Sequence, residues 1–282
     1  MGIKMPIIGE IAYRTWCINE YGMDAMFLLE GDEKALLIDT GTGTFDIKQS
    51  IVQLTNKPVV VVLTHGHVDH AGGMNQFEEV YIHSDDMEMA KGVSVKDRKE
   101  YVNMMLSMSE GIYDVTEENV IEGNNAVELK PLHMGDKIQL GNRTVEVYET
   151  PGHTPGGLSF LDTKERIIFT GDACNMNTLL YLNGMGGGND RPKSGISDLL
   201  KTAELIASLG KKYDRNYNGH IGYASMVNMM PMPAQLTKEC ICLCQDILSG
   251  KVVGEPIKSW IGENLVARTN TMQIQYVAEQ VR

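Results

Sequence analysis

The stretch LTHGHVDHAGG, Leu63 to Gly73, holds three histidines and one aspartate within six residues. It follows the apolar run VVVV at residues 59–62, which is typical of a buried strand. We therefore expect a strand that delivers a crowd of titratable side chains to the edge of a sheet. Neutral imidazoles and carboxylates are good ligands for zinc-like ions. A metal site is predicted at the pattern H-x-H-x-D-H, which is filled by His65, His67, Asp69 and His70.

Four ligands in one turn cannot easily converge on one ion, so other segments should contribute. Three further segments each end a predicted strand with one potential ligand that follows a glycine. They are TPGHTPGG with His153, IIFTGDA with Asp172 and NYNGHIG with His220. The repetition of one arrangement at several strand ends indicates a shared metal centre.

The bulk composition excludes some classes of function. The chain has 282 residues, 43% of them hydrophobic and 22% charged, and its formal net charge is −12. An acidic chain is a poor general binder of nucleic acid, because neutralising phosphates needs a surplus of Lys and Arg. No run approaches the roughly 20 apolar residues of a membrane span, and the N-terminus lacks the apolar core of a signal peptide. We expect neither a nucleic-acid nor a membrane partner.

The cysteines indicate a reducing compartment. Five is an odd number, and Cys240, Cys242 and Cys244 share one amphipathic stretch. We interpret these three as core residues of a helix rather than as a metal cluster, because no second ligand cluster of matching type accompanies them. The protein is expected to be cytoplasmic.

The hydrophobic pattern divides the chain into strands, helices, strands and helices. Strands are predicted within residues 10–18, 24–31 and 34–41, and a helix at 45–54 with Ile47, Ile51, Val52 and Leu54 on one face. One or two helices are predicted from Asp85 to about Glu110, and strands return from Lys130. A helix with a serine cap is predicted at 194–210, a second at 233–250, and a strand or hairpin near the end. Two sheets packed face to face with helices outside would satisfy this order.

Taken together, the motifs resemble those of the metallo-β-lactamase superfamily over roughly residues 11–222. The five matching motifs follow in order, as Asp39 in LLIDTG, HGHVDH, His153, Asp172 and His220. The resemblance implies an α/β fold, the four-layer αβ/βα sandwich, which we expect to occupy residues 1–282 as a single domain.

The resemblance also implies a site with two divalent metal ions, zinc in the first place, with Mn2+ or Fe2+ as alternatives. One ion would be held by His65, His67 and His153. The other would be held by Asp69, His70 and His220, and Asp172 would bridge them. Asp39 would hydrogen-bond to the ligand turn, although it is also compatible with a plain turn residue.

An aspartate at the fourth motif resembles the hydrolase branches: glyoxalase II-like thioesterases, lactonases and phosphodiesterases. The implied activity is cleavage of a small-molecule ester, thioester or lactone by a metal-bridging hydroxide, with Asp69 orienting it and shuttling its proton. Cys174 is expected beside the site rather than as a ligand. The alternatives are a phosphodiesterase of the same fold, a lactam-cleaving enzyme, and a non-catalytic metal-dependent binding or sensing module.

The substrate contacts and the C-terminus are the least defined parts. The glycine-rich stretch 183–195 is predicted to be a lid-like loop, although a solvated loop is an equal alternative. Candidate substrate-binding residues there and beside it are Tyr181, Asn189, Arg191 and Lys193. The extension from about Pro231 could complete a sheet, close the pocket or form the face of a homodimer. His83 and His133 match no motif and are interpreted as ordinary residues.

Overall fold

The computed structural model describes residues 2–107, 111–123, 126–180, 194–220, 229–259 and 262–282. Its first sheet has seven strands that neighbour one another in chain order. They are β1 (Ile7–Ala12), β2 (Thr15–Glu20), β3 (Asp24–Glu30), β4 (Ala35–Ile38), β5 (Val59–Val62), β6 (Glu79–Ile82) and β7 (Glu128–Pro131). The pairs from β1 to β4 are antiparallel and those from β4 to β7 are parallel.

Two further sheets follow. The second comprises β8 (Lys137–Gln139), β9 (Thr144–Glu149), β10 (Leu158–Asp162), β11 (Ile167–Phe169) and β13 (Arg215–Tyr217), in the spatial order β13-β11-β10-β9-β8. The third comprises β12 (Asn177–Leu179), β14 (Glu255–Ser259), β15 (Gly262–Arg268) and β16 (Gln273–Tyr276), in the spatial order β12-β16-β15-β14.

The helices lie outside the two central sheets. The outer face of the first sheet is covered by α1 (Ile47–Val52), α2 (Val68–Ala71), α3 (Met87–Gly92) and α4 (Val95–Ser107). The second sheet is covered by α5 (Ile196–Ser208), which packs in turn on α6 (Leu236–Leu248). Helix, sheet, sheet and helix therefore form four layers, and the predicted αβ/βα sandwich is confirmed.

Strand β3 shows why successive residues in a strand of the first sheet are apolar. Ala25, Phe27 and Leu29 belong to the core between the two sheets. Met26 and Leu28, which alternate with them, belong to the core under the helices. Because successive side chains of a strand point to opposite faces, a sheet buried on both faces needs apolar residues at every position. The ring centroids of Phe27 and Phe169 lie 4.6 Å apart across the sheet interface.

Three local predictions are wrong in detail. Residues 10–18 form not one strand but parts of β1 and β2, joined by a tight turn in which Arg14 has φ 49°. The N-cap of α5 is Gly195 rather than a serine, because the Ser194 hydroxyl donates to the carbonyl of Gly152 at 2.7 Å. Val52 is 69% exposed, since five residues after Ile47 a helix has turned its side chain away from the sheet.

The C-terminal extension forms most of the third sheet instead of joining either central sheet. The predicted hairpin at the end is confirmed as β15 and β16, and β16 pairs in parallel with β12. In α6, Cys240 and Cys244 are buried as predicted, whereas Cys242 is exposed. Gln280 is fully buried, and its amide donates to the carbonyls of Leu180 at 2.7 Å and Ser194 at 3.2 Å.

Within the described ranges, no helix is long and apolar enough to cross a membrane.

A buried ion pair joins the two central sheets. Arg143, which precedes β9, contacts Asp162 at 3.0 Å through Nε, and both side chains are buried. The same guanidinium donates to Thr15 Oγ1 at 2.7 Å and to the carbonyl of Arg14 at 3.0 Å. It therefore satisfies a charge in the second sheet and polar groups at the edge of the first.

Replacing Arg143 with Ala should destabilise the fold, because the Asp162 charge would stay buried without a partner. The expected loss in the free energy of unfolding is about 3–5 kcal/mol, measured by urea denaturation. Asp214→Asn is the matched control, since Asp214 pairs with Arg166 in an exposed ion pair and should change stability far less. Equal losses in the two variants would contradict the role given to the buried pair.

Candidate metal centre

The predicted ligands come from strand ends that share one edge of the two central sheets. Strands β9 and β11 are both antiparallel to β10, and β13 is parallel to β11, so these three point the same way. Their carboxyl ends lead to His153, Asp172 and His220, respectively. Strand β5 leads from the other sheet to the histidine turn and α2. The sandwich therefore brings four separate segments to one place.

A first group contains three histidines. The ligand atoms of His65, His67 and His153 lie within 4.8 Å of one another. Nδ1 of His67 faces Nε2 of His153 at 2.8 Å. All three side chains are buried. Two ring nitrogens at this distance either share a proton or bind a common cation.

A second group contains two residues of α2, Asp69 and His70, together with His220. The ligand atoms of Asp69, His70 and His220 also lie within 4.8 Å of one another. Oδ2 of Asp69 is 3.5 Å from Nε2 of His220 and 3.8 Å from Nε2 of His70. This is the set that the family resemblance assigns to the second ion.

Asp172 lies between the two groups. Its Oδ2 is 3.0 Å from Nε2 of His220 and 3.6 Å from Nε2 of His153, and its Oδ1 is 3.7 Å from Nε2 of His70. One carboxylate therefore reaches both groups, as a bridging ligand must. The structure brings all seven predicted ligands together, and their binding of ions stays a prediction.

The donor atoms fit divalent ions. Nε2 of His65, Nε2 of His70 and Oδ1 of Asp172 are buried without a hydrogen-bond partner among the residues that the structure describes. Such atoms are rare in folded proteins and indicate a missing partner such as an ion. Backbone carbonyls orient two other histidines of the centre. Nδ1 of His153 donates to the carbonyl of Leu179, and Nδ1 of His220 donates to the carbonyl of Met23 at 2.9 Å. Holding one ring nitrogen in this way directs the other one to a metal.

Burial and neighbouring carboxylates shift the pKa values of these histidines in opposite directions. Burial lowers the pKa of His65 well below its ordinary value and the pKa of His67 to about 3, so both rings are neutral. Burial also lowers the pKa of His220, but Asp172, Asp69 and the hydrogen bond to the carbonyl of Met23 together outweigh it and raise that pKa to about 10. In the same way Asp69 and Asp39 outweigh burial and raise the pKa of His70 to about 9. An ion that binds the last two rings therefore displaces protons.

Asp39 holds the ligand turn in place. Its carboxylate accepts hydrogen bonds from Thr64 N at 2.7 Å and Thr64 Oγ1 at 2.9 Å, and it contacts Nδ1 of His70 at 2.9 Å. Asp39 itself has φ 64°, in the left-handed region that few non-glycine residues adopt. The hydrogen bonds predicted for Asp39 are present, and they account for its unusual backbone.

Two buried side chains of this site were missed by the sequence analysis. The hydroxyl of Tyr101, on α4, donates to Asp69 Oδ2 at 2.8 Å. The carboxylate of Asp86 accepts from Gly66 N at 3.1 Å and Gly156 N at 2.8 Å, which ties the HGHVDH turn to the turn of His153. Neither residue stands near a motif, so only the packing of α3 and α4 on the sheet reveals them.

Gly66 allows α3 to pack closely on the ligand turn. Its φ is not in the left-handed region, so the backbone conformation does not by itself require a glycine at this position. A Cβ at Gly66 would lie 2.8 Å from the carbonyl of Asp86 and 2.9 Å from Ala90 N. The residue is small because α3 approaches the ligand turn closely.

Some predicted residues lie elsewhere or outside the described residues. Cys174 packs in the core of α5 and α6 instead, where a hydrogen bond with Cys240 and burial raise the pKa of its thiol. The proposed substrate contacts Tyr181, Asn189, Arg191 and Lys193 all lie outside the described residues, as does the predicted lid apart from Ser194 and Gly195.

The chain is similar in sequence to known proteins. Acyl-coenzyme A thioesterase MBLAC2 from Homo sapiens is 29% identical over 200 residues, which cover 65% of this chain and 67% of that protein. Hydroxyacylglutathione hydrolase GloC from Haemophilus influenzae is 22% identical over 187 residues, which cover 66% of this chain and 79% of that protein.

A solved structure shows the same fold. It is a metallo-beta-lactamase family protein from Thermus thermophilus, with a TM-score of 0.56 and 20% identity, and the match covers 89% of this chain and 83% of that protein. A family model described as the metallo-beta-lactamase superfamily matches residues 22–213, which is more than half of the chain. The resemblance seen in the motifs is thereby confirmed: the chain belongs to the metallo-beta-lactamase superfamily, as a hydrolytic enzyme with metal-binding residue groups.

Proposed function

We propose that the chain is a dinuclear metal-dependent hydrolase that cleaves a small-molecule ester, thioester or lactone. The observation that carries this proposal is the position of Asp172 between two groups of three donors each. The names of two relatives, an acyl-coenzyme A thioesterase and a hydroxyacylglutathione hydrolase, support an acyl substrate.

The donor set supports two divalent ions. When bound, they would supply an activated water and a Lewis acid for the acyl oxygen. Five of the seven donors are imidazoles, which favours zinc, and Mn2+ or Fe2+ could occupy the same ligands.

Asp69 is the group that we assign to proton transfer. Burial raises the pKa of its carboxyl, but His70 and His220 outweigh burial and lower it, so the carboxylate is ionised and can accept a proton. It would take the proton of the attacking water and deliver it to the leaving thiolate or alkoxide. The hydroxyl of Tyr101 holds Oδ2 of Asp69 in place during both transfers.

The cellular setting stays a prediction. All five cysteines are free thiols, which supports a reducing compartment such as the cytoplasm. The net charge of −12 supports a small-molecule substrate over nucleic acid. A homodimer is compatible with the chain and remains to be tested.

A hydrolysis panel on the zinc-reconstituted chain tests the activity. It contains an acyl-coenzyme A, a glutathione thioester, an aliphatic lactone, an aryl ester, a bis-aryl phosphodiester and a β-lactam. We expect chelator-sensitive cleavage of at least one of the four acyl substrates. Cleavage of the phosphodiester alone would replace the proposal with a phosphodiesterase. No cleavage of any compound with two ions bound would indicate a binding or sensing module.

A ligand of one donor group and the carboxylate between the groups should respond differently to substitution. His67→Ala should remove about one ion per chain and lower kcat/KM by more than the roughly 10–100-fold expected for loss of a residue that only supports a ligand. Asp172→Ala should lower the occupancy of both positions, because this carboxylate reaches both groups. Metal analysis of the purified variants measures both effects. Full occupancy of both positions in Asp172→Ala would exclude a bridging role.

Tyr101→Phe should lower kcat by roughly 10- to 150-fold, because a hydrogen bond to a charged group contributes about 1.5–3 kcal/mol. Metal content and KM should stay unchanged if the hydroxyl acts only by orienting Asp69. Tyr113→Phe is the matched control, since it removes a buried hydroxyl that has no hydrogen-bond partner in the described part of the chain. Equal kcat values for the two variants would show that Tyr101 is only a packing residue.

A further inference from the structure

A second cluster of metal-binding side chains lies apart from the candidate metal centre. His83 directly follows β6, and His133 is the second residue after β7, which is the adjacent parallel strand. Glu149 is the last residue of β9 in the other central sheet. The ligand atoms of the three residues lie within 4.8 Å of one another. The sandwich therefore brings together three side chains that no motif connects.

The ligand atoms of this trio are hydrogen-bonded at long distances that a coordination sphere would also require. Glu149 Oε1 is 3.3 Å from His83 Nε2 and 3.5 Å from His133 Nδ1. Charge-assisted hydrogen bonds are typically about 2.7–2.9 Å long. Ligands at zinc distances of about 2.0–2.1 Å in a tetrahedron stand roughly 3.3–3.4 Å from one another. The two imidazole rings are nearly perpendicular, at 82°, with centroids 4.9 Å apart.

We propose that His83, His133 and Glu149 form an additional binding site for a zinc-like divalent ion, distinct from the candidate metal centre. Two imidazoles and one carboxylate are a common zinc ligand set, with water in the remaining position. The site is open enough for such a water, because the side chain of His133 is 48% exposed and that of Glu149 is 37% exposed. His83 is only 10% exposed and forms the floor of the site.

Hydrogen bonds from backbone N–H groups position two of the ligands. The backbone N–H of Met134 donates to Glu149 Oε1 at 3.1 Å, and this bond, with the two histidines, keeps the pKa of that carboxyl low. Nδ1 of His83 accepts from Asp85 N at 3.1 Å. Coordination through Nε2 of His83 requires the tautomer that carries its proton on Nδ1, so a bound ion replaces this hydrogen bond.

A bound ion would connect the two central sheets. His83 and His133 belong to the first sheet and Glu149 to the second, so the ion closes a clip between them. An ion that binds the folded chain and not the unfolded chain stabilises the fold by mass action. The clip is thus a stabilising element beside the candidate metal centre rather than part of it, and the inference stands whether or not the proposed hydrolytic activity is correct.

The test compares two substitutions on one strand. Glu149→Gln removes the proposed ligand but keeps an oxygen that can accept from Met134 N. Glu146→Gln makes the same change of charge on β9 at a residue that pairs with Lys212 and Lys137 instead. Chelator-treated full-length chains are titrated with zinc alone, and bound zinc per chain is counted by metal analysis. Wild type and Glu146→Gln should bind one zinc more than Glu149→Gln.

Thermal unfolding supplies the second measurement. After the tighter sites are filled, further zinc should raise the melting temperature of wild type and Glu146→Gln but not of Glu149→Gln. His133→Gln, a substitution at an exposed residue, should reproduce the loss without affecting folding. In a His67→Ala background, adding Glu149→Gln should still remove one zinc, which separates this site from the candidate metal centre. Equal zinc counts and equal thermal shifts in all variants would overturn the proposal.

Discussion

Seven donor side chains, all buried except the partly buried His220, face one another where the two central sheets meet, and several of their polar atoms bind no other group of the described residues. Buried nitrogen and oxygen atoms are normally paired, yet within the described ranges His65 Nε2, His70 Nε2 and Asp172 Oδ1 have no hydrogen-bond partner. Two carboxylates also lie beside several imidazoles in a buried environment. A divalent ion would satisfy the unpaired atoms and balance the charge together. The surrounding fold must therefore keep these atoms in place, because buried polar atoms without a partner cost free energy.

Carboxylates outside the donor set provide much of this restraint. Asp39 joins the end of β4 to Thr64 after β5 and to His70 in α2. Asp86 joins the turns of Gly66 and Gly156, which carry ligands from different sheets. Burial raises the pKa of Asp86, and the hydrogen bonds from these backbone N–H groups oppose that effect. Each carboxylate is satisfied by groups of the ligand loops, so the loops cannot move independently.

The C-terminal layer contributes to the same restraint. The family model ends at residue 213, but β16 lies far beyond it and pairs with β12. Leu179, the last residue of β12, accepts the hydrogen bond from His153 Nδ1 that directs Nε2 to the centre. Gln280 binds the carbonyls on both sides of residues 181–193. The extension thus acts on the metal centre through β12, a role that its own sequence does not indicate.

The sequence alone was enough to predict the sandwich, the histidine turn and all seven donors that the structure brings together. These features have local causes: strands and helices follow the hydrophobic period, and each segment that carries a donor comes after the end of a strand. The sequence could not show Tyr101 beside Asp69, Cys174 directed into the core of α5 and α6, or His83 and His133 beside Glu149. Those contacts join elements distant in the chain, and no local pattern records which residues meet when sheets and helices pack. Motifs therefore identified the donors, whereas tertiary packing decided which other side chains hold them and where a further ion could bind.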